Sequence, residues 1–228
     1  MNAKLRNVSK PEKVTIPVTR KIGVDANLAV VEEASGIVVL ANAKSTDRFC
    51  LEASSVSEYI NNAGFSTLSV DLLTDNELRI DQETGDLRFD VELLASRVIA
   101  ATEWAIEQEI HGYENVAYYG ANAGAAAVLC AAGEIDGIVK SIVCWGGRCD
   151  LVSPELPMIK APTLFLVGSN DSFIMKETPA AIDKMICRSK MQVLEDAGHF
   201  FKEPGISDKA AKITIAWLKD SIKIFESV

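Results

Sequence analysis

Short apolar runs separated by amphipathic segments recur through most of this chain, and that alternation narrows the fold more than any other feature. GIVVLANA (36–43), STLSVDLL (66–73), NVAYYG (115–120), SIVCWGG (141–147), TLFLVGS (163–169) and MQVLED (191–196) read as strands. Most are apolar throughout rather than alternating, as strands buried on both faces are. Between and after them, helical spacing is expected at SEYINNAG (57–64), within 88–108, from about Asn122 to Ala132, near Pro179 to Ile186, and near Ile206 to Phe225. Strand followed by helix, repeated, gives an α/β architecture: a mostly parallel twisted sheet of about eight strands with helices on both faces. Ahead of it, KVTIPV and NLAVVE stand too close for a helical crossover and are expected to pair antiparallel at one edge.

At 228 residues the chain is long enough for one such domain and too short for two with a linker, so residues 1–228 are expected to form a single domain. No apolar run reaches the roughly 18 residues of a membrane span. The polar start MNAKLRNVSKPEKV lacks the apolar core of a secretory signal. Five cysteines without a CxxC pair suggest neither zinc nor a disulfide framework, which fits reduced thiols in the cytoplasm. A formal charge of −9 and the absence of a basic stripe disfavour nucleic acid as a partner. No metal or organic cofactor is implied. The expected partner is a small-molecule ligand or substrate, and the sequence leaves the oligomeric state open.

In an open parallel sheet, ligands sit outside the carboxyl ends of the strands, so the residues just after each strand carry the functional information. NVAYYG runs into Ala121-Asn122-Ala123-Gly124 and a small-residue helix, the strand, sharp turn and helix that a G-x-S-x-G nucleophile elbow requires, with asparagine at its centre. After TLFLVGS comes Asn170-Asp171, and after MQVLED comes Ala197-Gly198-His199. Elbow, acid and histidine in this chain order match a triad in which the acid orients the imidazole and the imidazole takes the nucleophile's proton. Each piece alone has a plainer reading: glycines easing a turn, an aspartate capping a helix, a structural histidine. His199 is one of two histidines; the other, His111, falls in a helix-to-strand connection.

On STLSVDLLTDNE, RFDVELLASRV, YYGANAGAAA, the GGR and DL of WGGRCDL, LPMIKAPTLFLVGSND and AGHFFKEPG, in that order, the chain resembles the dienelactone-hydrolase-like branch of the α/β-hydrolases, including forms fused to phosphoribosyltransferase domains. The resemblance implies the α/β-hydrolase fold and descent from ester and lactone hydrolases. It puts Asn122 at the nucleophile serine, Asp171 at the acid and His199 at the base, with an oxyanion region around Ala123, Asn42 and Ala43. Two positions depart from it. Asn122 replaces the serine, and Asn42-Ala43-Lys44-Ser45-Thr46 stands where the family has a His-Gly-Ser-Gly-Ser turn. A double change marks natural divergence rather than a single engineered substitution.

An amide nitrogen has its lone pair delocalised and does not acylate, so serine-type hydrolysis is not expected. Three readings follow: general-base chemistry by His199 and Asp171 without an acyl intermediate, a non-catalytic pseudo-hydrolase that binds a small molecule or a partner, or conversion of Asn122 to a nucleophilic aspartate. Arg148 follows a strand and is a candidate for binding a carboxylate or phosphate, or else holds its loop by pairing with Asp150 or Asp171. Arg88 reads as structural, as do Cys144 and Cys149.

Overall fold

The structure is a computed structural model that describes residues 7–42, 48–135, 137–152 and 154–226. Eight strands form one sheet: β1 (Glu12–Pro17), β2 (Gly23–Ala29), β3 (Ile37–Asn42), β4 (Ser66–Asp71), β5 (Val116–Ala121), β6 (Val139–Trp145), β7 (Thr163–Gly168) and β8 (Ser189–Leu194). Their spatial order is β1-β2-β4-β3-β5-β6-β7-β8. The β1–β2 and β2–β4 pairs are antiparallel, and every later pair is parallel. The edge hairpin and the parallel core thus match the sequence pattern.

Among the described residues five α-helices lie between strands, α1 (Arg48–Asn62), α2 (Asp75–Thr84), α3 (Val91–Glu107), α4 (Ala123–Glu134) and α5 (Ser172–Ile182), and α6 (Ile206–Glu226) follows β8. Successive residues of the central strands point to opposite faces, and each face has its own core. Val39, Ala41, Tyr118, Cys144 and Phe165 pack with α3 and α4 residues such as Leu94, Val98 and Leu129. Val38, Leu40, Tyr119, Val143 and Leu166 pack with Val56 and Ile60 of α1 and Trp217, Leu218 and Ile222 of α6. Within the first core the Tyr118 hydroxyl donates to Thr102 Oγ1 at 2.8 Å, while that hydroxyl donates to the Val98 carbonyl. Among the described residues no helix is long and apolar enough to cross a membrane.

Three helices differ from the sequence expectation, the first being α1, which begins at Arg48, nine residues before the expected 57–64 segment. The sequence pattern sets a helix near Pro179 to Ile186. In the structure α5 begins at Ser172, seven residues earlier, because Asp171 caps it by accepting from the Ile174 N–H at 3.2 Å, and Pro179 lies inside it. Another, α2, carries little apolar signal. It is fixed by polar ends instead: Thr74 and Glu77 form a reciprocal capping box and Gly85 closes it in the left-handed region. Glu77 also accepts from Arg97 of α3 at 3.0 Å, so the same carboxylate caps one helix and ties it to another.

Candidate active site

β5 ends in the sharp turn that the sequence suggests. Asn122 sits at φ 54°, ψ −120°, the geometry of the first central residue of a type II′ turn, which glycine occupies readily and other residues only under strain. Close packing holds it there. A Cβ on Gly124 would lie 2.3 Å from the Ala41 carbonyl oxygen, and one on Gly120 would lie 2.4 Å from the carbonyl of Gly124. Only glycines on both sides let α4 start this close to β3 and β5. The backbone at 122 is bonded on both sides: its N–H donates to the Trp145 carbonyl at 3.1 Å, and its carbonyl accepts from Arg148 N–H at 3.3 Å. The side-chain Oδ1 is buried and has no hydrogen-bond partner among the described residues.

Asp171 uses its two oxygens differently. Oδ1 caps α5, and Oδ2 accepts from His199 Nδ1 at 2.6 Å. The plain reading of this aspartate as a helix cap and its functional reading therefore describe two oxygens of one carboxylate. Because a carboxylate only accepts, the bond fixes the proton on Nδ1 and leaves Nε2 with its lone pair. The Asp171 side chain is 9 % exposed and that of His199 is 33 % exposed, so the acid is sheltered and the imidazole reachable.

The histidine is held by the loop that carries it. Gly198 N–H donates to Glu203 Oε1 at 2.9 Å, and Asn170 N–H donates to the Ala197 carbonyl at 2.9 Å. Phe201 is buried beneath the loop and stacks on Trp145 of β6, ring centres 4.8 Å apart. Gly146, at φ 53°, passes so near that a Cβ there would lie 3.1 Å from the His199 carbonyl and 3.6 Å from Nδ1. The segment Trp145 to Arg148 thus touches both Asn122 and His199. His111 lies exposed in the turn after α3, away from these strand ends.

Arg148 is already engaged. Its Nε and Nη2 each donate to a different oxygen of Asp150 at 2.8 Å, which is the loop-holding alternative that the sequence left open. The pairing raises the guanidinium pKa and holds the Asp150 carboxyl below its ordinary value. Arg88 is structural as expected, binding buried Asp81 through its backbone N–H, Nε and Nη2.

Of the oxyanion region, Ala123 is the first residue of α4 and is buried, whereas Ala43 lies outside the described residues. Asn42 ends β3 with its amide nitrogen donating to Ser69 Oγ at 2.6 Å. It lines a cavity of about 650 Å³ together with Asn27, Asn61, Thr67, Ser69 and Asp71. Burial pushes the thiols of Cys144 and Cys149 up, and both are packed in the core.

Sequence reasoning missed three phenyl groups around this site. Phe173 follows Asp171 by two residues, and Phe200 follows His199 and meets its ring edge-on at 4.7 Å. Phe89 reaches Arg148 from the short turn before α3. The adjacency of Phe173 and Phe200 to the acid and the histidine was a signal available in the sequence; nothing local pointed to Phe89.

Comparison with known proteins agrees with this fold. The model of the dienelactone hydrolase family matches residues 24–227. A solved dienelactone hydrolase from Anabaena variabilis is 33 % identical with a TM-score of 0.88, covering 96 % of this chain and 99 % of that one. A putative phosphoribosyl transferase of Mycobacterium tuberculosis is 35 % identical over 213 residues, which are 93 % of this chain and 47 % of the relative. The chain therefore spans about half the length of that relative. A dienelactone hydrolase-like promiscuous phosphotriesterase from metagenomic libraries shares the fold, with a TM-score of 0.75 at 17 % identity. Since the family match runs from β2 through α6 and the Anabaena protein superposes along nearly the whole chain, this protein belongs to the dienelactone hydrolase family.

Proposed function

We propose that this chain binds a small ester or lactone at its strand ends and promotes attack on it by water. In this reading His199 is the general base, Asp171 holds it, and no acyl intermediate forms at position 122. The observation that carries the proposal is the 2.6 Å bond from His199 Nδ1 to a sheltered Asp171, which leaves Nε2 free to take a proton. A pure binding module has little use for such a pair. Its kinship to a protein named for hydrolysis of a dienelactone supports the substrate class.

Water placed beside Nε2 would lose its proton as its oxygen bonds to the acyl carbon, and Asp171 would stabilise the imidazolium. The N–H of Ala123, in the first turn of α4, is the candidate donor to the developing oxyanion. As the tetrahedral species collapses, the imidazolium returns the proton to the leaving alkoxide. Asn122 contributes as a hydrogen-bonding group rather than a nucleophile, offering both a donor and an acceptor.

The test is turnover of a panel of short acyl esters and lactones by the chain, by His199→Ala and by Asn122→Ser. The expected result is slow hydrolysis without a burst, abolished in His199→Ala. A burst with an acyl adduct mapped to residues 120–124 would overturn the mechanism. A second reading, a pseudo-hydrolase that binds its ligand without acting on it, is favoured by the asparagine itself. Ligand binding with no turnover at any pH selects that reading.

A further inference from the structure

Asparagine is among the best residues for capping a helix, its side-chain oxygen turned back to accept from the N–H groups of the first turn. Asn122 stands at that position before α4 and makes no such bond. At φ 54°, ψ −120° its backbone lies outside the extended region from which a capping side chain reaches back. The amide is also held unevenly. Oδ1 is buried without a partner among the described residues, whereas Nδ2, the other corner of the same plane, is not buried, and no described residue accepts from it. What Asn122 offers to solvent is therefore a pair of N–H donors. The turn that carries them stands beside the histidine. Asn122 N–H donates to the Trp145 carbonyl, and Gly146, the next residue, lies against His199. Ala123 follows directly and opens α4. Backbone bonds on both sides of Asn122 fix the turn before any ligand arrives, as a preorganised donor requires.

We infer that Asn122 is a catalytic residue: its Nδ2 donates to the carbonyl oxygen of the bound ester or lactone and, with the Ala123 N–H, holds the negative charge that gathers there. The inference deepens the hydrolase reading above and rests on it for the attack by water; the hydrogen bond to a bound carbonyl does not depend on turnover. In that attack the water oxygen bonds to the acyl carbon and the water proton passes to His199 Nε2. The electron pair of the carbonyl double bond moves onto the oxygen that Nδ2 holds. A neutral amide suits this task, since it donates at every pH and does not compete with His199 for the proton.

Asn122→Leu keeps the branched shape of the side chain and removes both donors; Asn122→Ala removes the amide and leaves room for water. Circular dichroism checks that the full-length variants fold. The first readout is turnover of δ-valerolactone. In Asn122→Leu kcat is expected to fall by about 10²- to 10³-fold, while the pH midpoint set by the untouched His199 and Asp171 stays where it was. Asn122→Ala falls by less, because a water takes the place of the amide. The second readout needs no chemistry. δ-Valerolactam, isotope-labelled at its carbonyl carbon, is a slow-reacting analogue of the lactone, and its bound carbonyl stretch is followed by infrared difference spectroscopy. The stretch is expected at lower frequency in the wild type and in His199→Ala than in Asn122→Leu, with affinity for the leucine variant weaker by about 3- to 10-fold. A carbonyl frequency that is the same in the wild type and Asn122→Leu overturns the inference, as does the absence of lactam binding. So does a leucine variant that turns over lactone as fast as the wild type. No lactone turnover in the wild type, with the carbonyl shift present and lost in Asn122→Leu, removes the proposed water activation and keeps the hydrogen bond. Turnover that depends on His199 but not on Asn122 does the reverse.

Discussion

Replacing Asn122 by glycine is expected to stabilise the protein, although the position lies at the centre of the site. At φ 54°, ψ −120° a side chain is strained by about 1–3 kcal/mol. The buried Oδ1, without a partner among the described residues, adds a desolvation cost of about 1–3 kcal/mol. Glycine removes both, and gives back about 0.5–1 kcal/mol through the freedom of its unfolded state. Alanine removes only the unpaired amide. The difference between Asn122→Gly and Asn122→Ala therefore reads the backbone strain less the glycine cost: the glycine variant is more stable by up to about 2.5 kcal/mol, or up to roughly 10 °C in Tm for a chain of this size. Thermal unfolding of the two variants side by side, followed by circular dichroism at neutral pH, measures it. A glycine variant melting below the alanine variant refutes the reasoning, because strain at residue 122 would then be smaller than the glycine cost of about 0.5–1 kcal/mol. If the strain is present, it has been retained without a serine to present, which is what a working site demands.

Other perturbations have equally definite outcomes. Gly124→Ala sets a Cβ against the Ala41 carbonyl at 2.3 Å, so α4 must shift off the sheet, and urea unfolding is expected to show a loss of at least about 2 kcal/mol. Tyr118→Phe removes a buried hydrogen bond to Thr102, whose own donor remains satisfied by Val98; the same assay is expected to show a loss of about 0.5–1.5 kcal/mol. Arg148→Met removes the group that holds the Asp150 carboxyl below its ordinary 3.8. Stability from a depressed carboxyl is present above that ordinary value and is lost as pH falls through the folded value. The wild type should thus exceed Arg148→Met at pH 6, and the gap should close as unfolding is repeated below about pH 4.

The strands were legible because a run such as Ile37 to Ala41, buried on both faces, has no polar option in its sequence. The helix α2 was not, since its hold comes from Thr74 with Glu77, from Arg97, and from Arg88 on Asp81, all contacts between polar groups that periodicity does not register. The start of α5 was missed for a related reason: it is set by the Asp171 cap, eight residues before Pro179, a polar contact that apolar spacing does not register. At the site, Asp171 and His199 were readable because strand ends in this architecture converge. The meeting of Phe89 with Arg148 depends on how the segment before α3 folds over the sheet. No spacing in the chain encodes it.

The place of β3 in the sheet carries a consequence for how the chain is made. In the finished sheet β3 lies between β4 and β5, yet β5 begins about 75 residues after β3 ends. At roughly 5–20 residues per second, a ribosome leaves one side of IVVLAN unpaired for on the order of 4–15 seconds after β3 emerges. That segment has no charge and no proline, the composition of an edge that pairs with whatever strand it meets. The yield of native protein is therefore set during those seconds, by how well the nascent strand is kept from other chains until Val116 to Ala121 arrives to close the sheet.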